Sequence, residues 1–211
     1  MIGEEDFNPS ISDYLPQLYE AKQKAKLVGK EFNMYFHAGE SNAKSNKELY
    51  HAIALGTKRI GHGYHLAYHP SLHHIVRERK ICIECCPVNN FVMGFVNDLR
   101  THPGRAFLHQ GIPMTIGSAD PAFMAYDGVT LDYLYAFISW DLDLADLKQL
   151  AINSLQYSSL SDNEKKAIFE FFKYKWGRFL EFIITRYWGD KGGIIEEEKE
   201  KWAIGDLFLN R

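Results

Sequence analysis

The chain has 211 residues, of which 46% are hydrophobic and 24% are charged, and its formal net charge is −3. This balance is typical of a globular protein, and the small negative charge provides no basic surface for nucleic acid or anionic lipid. No apolar run approaches the roughly 20 residues that a membrane span needs. We therefore expect neither a nucleic-acid nor a membrane partner. If Met1 is the true start, the lack of a basic-then-apolar signal sequence predicts a cytoplasmic protein.

Short apolar runs alternate with helical patterns in the first 120 residues. Four runs predict strands, at residues 31–36, 58–60, 81–85 and 113–116. Between them, helix ends are indicated by the pair Ser45 and Glu48, by Pro70 and Pro103, and by Gly56 and Gly111. Alternation of strands and helices predicts an α/β fold, in which crossover helices connect the strands of a parallel sheet.

The chain after residue 130 is predicted to be helical. Residues 131–140 and 144–155 have amphipathic spacing, and Ser161 with Glu164 forms a capping box that begins a long helix extending to about Trp188. We expect residues 1–188 to form the folded α/β unit and residues 189–211 to form a C-terminal tail.

The three cysteines, Cys82, Cys85 and Cys86, lie in one short run. An odd and clustered set makes a poor disulfide framework. The spacing of Cys82 and Cys85 resembles half of a zinc site or a redox pair, but no second pair exists in the sequence. The favoured interpretation is that these residues are small apolar side chains of a buried strand.

Polar residues that could support catalysis follow the predicted strands. His37 ends the first strand and could donate a ring nitrogen to zinc, and Glu40 could enter the same pocket as a proton donor. His62 is flanked by two glycines, which leave space around an imidazole that could orient or deprotonate a water. Asp120 precedes a proline after the last strand, where it could bind a metal or substrate or simply form a turn. His37 and His62 could equally be structural histidines.

Six motifs occur in a fixed order along the chain. They are Gly3-Glu4-Glu5-Asp6, Phe36-His37-Ala38-Gly39-Glu40, Thr57-Lys58-Arg59-Ile60-Gly61-His62-Gly63-Tyr64, Glu84-Cys85-Cys86-Pro87-Val88-Asn89-Asn90, Asp98-Leu99-Arg100-Thr101-His102-Pro103 and Asp120-Pro121. In this order and spacing they resemble the adenosine deaminase family. The match is closest to its branch of adenosine deaminase-related growth factors, which are adenosine deaminase 2-like proteins.

This resemblance implies a (β/α)8 barrel and zinc-assisted hydrolytic deamination of adenosine to inosine. By position in the motifs, His37 is a zinc ligand, Glu40 protonates the purine ring, and His62 is the base or guide for the attacking water. Asp120 would hold a purine nitrogen, and the backbone of Gly3 would contact the purine. The branch is secreted, which differs from the compartment that a start at Met1 predicts.

The sequence departs from the family pattern at the metal. The family takes two zinc ligands from a His-x-His motif, which none of the nine histidines here forms. The fourth ligand is an aspartate in the family, and that position is Ala119 here. One imidazole is far from a closed zinc ligand set. We therefore expect that this chain alone does not hold zinc stoichiometrically.

The four predicted strands amount to the C-terminal half of an eight-stranded barrel, followed by extra helices. Such a half would expose two sheet edges, which a second copy or a partner chain could cover. We expect an adenosine deaminase family protein whose own deaminase activity is absent or strongly impaired. The alternatives are a non-catalytic homologue that binds a purine nucleoside or a protein, and a truncated remnant without function.

Overall fold

The computed structural model describes residues 5–187, and these residues contain one parallel sheet. Its strands are β1 (Tyr35–Ala38), β2 (Arg59–His62), β3 (Cys82–Cys85) and β4 (Met114–Ile116), and their order in the sheet follows the chain. Each strand pairs in parallel with the next one along the chain. All four carboxyl ends therefore lie at one edge of the sheet, and the predicted α/β class is confirmed.

Helices connect the strands and follow the last one. The α-helices in the described part of the chain are α1 (Leu15–Leu27), α2 (Glu48–Leu55), α3 (Pro70–Glu78), α4 (Pro87–Val92), α5 (Gly104–His109), α6 (Thr130–Ser139), α7 (Leu144–Gln156) and α8 (Asp162–Tyr187). Short 3-10 helices span Ile11–Tyr14, Tyr64–Tyr68 and Leu99–Thr101. Despite its length, α8 is not apolar enough to cross a membrane, and neither is any other helix that the structure describes.

The core lies between the sheet and the helices that pack on it. Ile60, Ile83 and Met114 come from three adjacent strands and are fully buried. Trp140, which follows α6, and Leu150 of α7 belong to the same apolar cluster. The middle strands alternate between buried and half-buried residues at β2, and β3 is buried except at Glu84.

All three cysteines are buried as free thiols at β3 and directly after it. Burial raises the pKa of Cys82 to about 12 and also raises the pKa values of Cys85 and Cys86. A thiol with so high a pKa is a poor nucleophile and a poor metal ligand at neutral pH. The interpretation as small core residues is confirmed.

The chain divides after Ser159 into two compact units. The first contains the sheet with α1 to α7, and the described part of the second is mainly α8. The expected tail at residues 189–211 lies outside the described residues, as does Gly3, so the boundary at residue 188 remains a prediction.

Candidate active site

Two histidines are brought together by the register of β1 and β2. His37 is the third residue of β1, and His62 is the last residue of β2. Ala38 pairs with His62, so the two histidines are offset by one residue on neighbouring strands. Their ring centroids are 4.6 Å apart. The structure therefore places both imidazoles at the carboxyl edge of the sheet, where open α/β sheets and barrels hold their ligands.

The backbone around these histidines needs unusual conformations. Gly39 has a φ of +81°, and a Cβ atom there would lie 2.9 Å from Leu49 Cδ2 and 3.3 Å from Gly63 Cα. His62 itself has a φ of 64°. A non-glycine residue in the left-handed region costs roughly 1–2 kcal/mol, and residues strained in this way cluster at functional sites. The fold therefore tolerates local strain to present the His62 ring.

Glu40 connects the two rings. Its Oε2 lies 3.0 Å from His37 Nε2, and its Oε1 lies 3.3 Å from His62 Nδ1. The contact with His37 has hydrogen-bond geometry, whereas His62 Nδ1 is buried and makes no hydrogen bond to any described residue. The side chains of His37 and Glu40 are 17% and 16% exposed, so a small molecule could reach them. These three side chains form the core of the candidate site.

The two histidines differ in charge. Burial alone would lower the pKa of His37, but its hydrogen bonds to Glu40 and Glu5 outweigh that effect and raise the pKa to about 9. Burial lowers the pKa of His62; the Glu40 charge opposes this shift, and a protonated His37 adds to it. At neutral pH a charged His37 therefore lies beside a neutral His62. Titratable groups whose environments push their pKa values apart are typical of acid/base sites.

Ala119 and Asp120 follow β4 on an exposed loop, next to the same edge of the sheet. Burial lowers the pKa of His62, and the negative charge of Asp120 has a minor effect in the opposite direction. Ala119 has a φ of 54°, so its methyl group lies at a left-handed position. The predicted residues His37, Glu40 and His62 are thus in contact, Asp120 is nearby, and Gly3 is not described.

Glu5 is a site residue to which the sequence analysis gave no role. Its carboxylate is 6% exposed and lies 3.4 Å from His37 Nδ1. It also accepts backbone hydrogen bonds from Gly39 and Glu40. These donors, together with His37, lower its pKa although burial opposes the shift. In the sequence, only the motif Gly3-Glu4-Glu5-Asp6 pointed to this segment. The role of Glu5 itself could not be predicted, because its contacts with Gly39 and Glu40 join residues more than 30 positions apart.

His37, Glu40 and His62 are also the group that could hold a metal ion among the described residues. Their candidate ligand atoms all lie within 4.8 Å of one another. Two imidazoles and a carboxylate are ligand types that zinc uses. Both oxygens of Glu40 already face the imidazoles, however, and Ala119 contributes no ligand atom. The residues at the family's zinc positions, one imidazole and one methyl group, do not fit a closed zinc site.

Comparison with protein families decides how the site is classified. The family model for adenosine deaminase matches residues 4–174, which include all the described site residues. The chain belongs to the adenosine deaminase family. Adenosine deaminase 2 from Dictyostelium discoideum is 39% identical over 188 residues, which are 89% of this chain and 35% of that protein. The chain thus spans about a third of the length of that relative.

Solved structures of the family's fold give the same picture. Adenine deaminase from Arthrobacter aurescens superposes with a TM-score of 0.67 at 24% identity, over 80% of this chain and 49% of that one. An amidohydrolase from Burkholderia ambifaria, whose structure contains bound Zn, superposes with a TM-score of 0.61 at 24% identity, over 76% of this chain and 44% of that one. The sheet and helices correspond to about half of a deaminase-type (β/α)8 barrel, which confirms the predicted fold.

Proposed function

We propose that this chain carries the acid/base and purine-facing part of an adenosine deaminase site, and that alone it binds a purine nucleoside with little or no turnover. The observation that carries the proposal is the contact of Glu40 with a charged His37 and a neutral His62 at the family's motif positions. Opposed pKa shifts around one shared carboxylate are the pattern that marks a candidate functional site.

Each residue has a role that its surroundings allow. Glu40 lies where it could transfer a proton to a purine ring nitrogen, as the family position implies. His62 is neutral and its Nδ1 is buried 3.3 Å from Glu40 Oε1, so Nε2 is the ring nitrogen that could accept a proton from an attacking water. Asp120 supplies an exposed carboxylate that could accept a hydrogen bond from the purine. The family position of Gly3 implies that its backbone contacts the purine.

The number of metal ligands limits turnover. Hydrolytic deamination in the family relies on zinc, which supplies a water of lowered pKa. This chain offers His37 and Ala119 where the pattern requires a histidine and an aspartate, and it has no His-x-His motif. Loss of a metal contact costs at least the roughly 10–100-fold that is typical of the residues supporting a ligand. We therefore assign the isolated chain a strongly impaired activity.

The test measures adenosine binding by calorimetry and inosine formation by absorbance, each with and without added zinc. We expect binding that Glu40→Gln and Asp120→Asn weaken roughly 10-fold or more, and inosine formation near background. Glu31→Gln, in an exposed position before β1, is the control and should bind normally. Tightly held zinc with rapid inosine formation by the unmodified chain would refute the assigned impairment.

A second variant tests the ligand count directly. Ala119→Asp restores the family carboxylate at a left-handed position that aspartate adopts more readily than alanine does. We expect the variant to retain zinc roughly 10-fold better than the unmodified chain, measured by dialysis and metal analysis. Unchanged zinc retention would show that the loop does not present this position to the metal.

The remnant hypothesis makes a different prediction. A chain without function would show no adenosine binding, an unfolding transition without cooperativity, and aggregation. The buried and continuous core of the described residues favours a folded protein over this alternative. Cooperative unfolding together with saturable nucleoside binding would exclude the remnant.

A further inference from the structure

Glu5 is the most highly bonded carboxylate near the site. Its Oε1 accepts hydrogen bonds from the Gly39 backbone N–H at 2.8 Å and from Asn46 Nδ2 at 2.8 Å. Its Oε2 accepts one from the Glu40 backbone N–H at 3.1 Å and lies 3.4 Å from His37 Nδ1. One buried carboxylate thus contacts the His37 ring and the backbone that carries Glu40.

These contacts determine where two site side chains point. The segment from residue 39 to residue 47 contains no helix or strand, so no regular ladder fixes the backbone of Glu40. The two N–H bonds to Glu5 supply that restraint from a segment 34 and 35 residues earlier in the chain. At the ring, Nδ1 faces Glu5, which leaves Nε2 of His37 facing Glu40.

We propose that Glu5 is a positioning residue that orients both His37 and Glu40 without touching the nucleoside. A histidine that works through one ring nitrogen usually has its other nitrogen held by a carboxylate or carbonyl, which fixes the ring. Glu5 adds a second effect, because the same group fixes the backbone of the acid. The inference rests on the proposed function of His37 and Glu40 and adds a residue to it.

The glutamine substitution separates charge from shape. Glu5 uses two oxygen atoms to face four donors, whereas a glutamine of the same size has one oxygen and one NH2 group. In Glu5→Gln the NH2 group must face at least one N–H, so one side of the network is lost in either orientation. The loss releases either the His37 ring together with the Glu40 N–H, or the Gly39 N–H together with the Asn46 amide.

Glu48→Gln is the matched control. Glu48 is buried, accepts the Ile11 backbone N–H at 2.7 Å and the Ser10 hydroxyl at 2.6 Å, and makes no contact with His37 or Glu40 among the contacts of the described residues. Both substitutions remove a buried charged acceptor from the part of the chain before β2. They should lower the free energy of unfolding to a similar degree, so any difference at the site comes from Glu5.

The experiment measures the Nδ1–H proton of His37 by NMR on chain labelled with ¹⁵N-histidine, together with adenosine affinity and unfolding in urea. The resonance is assigned by its disappearance in His37→Gln. We expect Glu5→Gln to abolish or strongly shift it and to weaken adenosine binding roughly 10-fold, whereas Glu48→Gln changes neither.

The outcomes separate the two proposals. A Glu5→Gln chain that is destabilised like Glu48→Gln but keeps the His37 resonance and the affinity would overturn the positioning role. A lost resonance in a chain whose unmodified form binds no adenosine would support the positioning role and refute the proposed function. If Glu5→Gln does not fold, Glu5→Asp replaces it, because the shorter side chain cannot span both ring and backbone. An unchanged His37 resonance in Glu5→Asp would also overturn the role.

Discussion

His102 shows how a buried ring can be fixed in one protonation state. Its Nδ1 accepts the Gly104 backbone N–H at 3.0 Å, so its Nε2 must carry the hydrogen that is donated to Asn90 Oδ1 at 3.0 Å. The ring stacks on Trp140 at 5.3 Å and is 3% exposed. Burial lowers the pKa of His102 to about 4, so the folded protein contains it as a neutral imidazole.

This neutral histidine makes stability depend on pH on the acid side. In the unfolded chain His102 has a pKa near 6.5, so between about 6.5 and 4 the unfolded state binds more protons than the folded state. The stabilisation is complete above 6.5 and is lost as the pH falls through that window. The full loss amounts to about 3 kcal/mol at most.

Urea unfolding at several pH values tests this prediction. We expect His102→Gln to lower stability at pH 7 and to flatten the fall in unfolding free energy between pH 6.5 and 4. His74→Gln, at an exposed position, is the control and should keep the slope of the unmodified chain. An equal slope in His102→Gln and the unmodified chain would show that other groups cause the acid loss.

At the scale of elements, the packing of α5 against Trp140, the residue that follows α6, depends on a missing side chain. Gly104 is the first residue of α5, and a Cβ atom there would lie 2.5 Å from Trp140 Cη2 and 2.9 Å from Cζ2. Trp140 is 1% exposed and donates its indole N–H to the Leu99 carbonyl at 3.0 Å, so the ring has no room to move. The helix can approach the tryptophan only because residue 104 is glycine.

Gly104→Ala should therefore destabilise the protein by roughly 1–3 kcal/mol, through overpacking. Gly177→Ala is the matched control, because Gly177 lies within α8 and nothing surrounds its Cβ position within 4 Å. That change should stabilise its helix by about 1 kcal/mol. Urea unfolding followed by circular dichroism measures both, and a neutral Gly104→Ala would contradict the close contact.

Local signals predicted the elements wherever local chemistry decides the boundary. Pro70 begins α3, Gly56 ends α2 at a φ of 81°, and Ser161 with Glu164 forms the expected capping box before α8. The capping box predicted at Ser45 was wrong. The Asn46 side chain caps Glu48 there instead, because its position is set by Glu5.

Structural features that depend on tertiary contacts could not be predicted from the sequence in the same way. α1 was missed because none of its residues is buried, so its sequence lacks a clear apolar face. The first strand was expected over residues 31–36 with its end at His37, yet β1 begins at Tyr35 and runs through Ala38, which pairs with His62 of β2. His37, Glu40 and His62 were found from short motifs, whereas the role of Glu5 depends on contacts across 34 residues that no local pattern records.

At the scale of the whole molecule, the outer strands of the described sheet leave backbone groups free to pair with another chain. Among the described residues, β1 pairs only with β2 and β4 pairs only with β3, so each has one edge without a strand partner. Unpaired backbone donors and acceptors on an edge strand are templates for association with another chain. Full closure into a barrel removes such edges. This chain superposes on only about half the length of a neighbour such as adenine deaminase from Arthrobacter aurescens.

We therefore predict that the purified chain self-associates in a concentration-dependent manner. Light scattering coupled to gel filtration should give masses above that of one chain. Tyr35→Lys places a charge on the half-exposed first residue of β1, as natural edge strands often do, and should shift the population towards the monomer. Tyr174→Lys changes an exposed tyrosine of α8 in the same way and should not, if association uses the sheet edge. A strictly monomeric chain would show that its edges are already protected, and an equal effect of both lysines would assign association to general surface hydrophobicity.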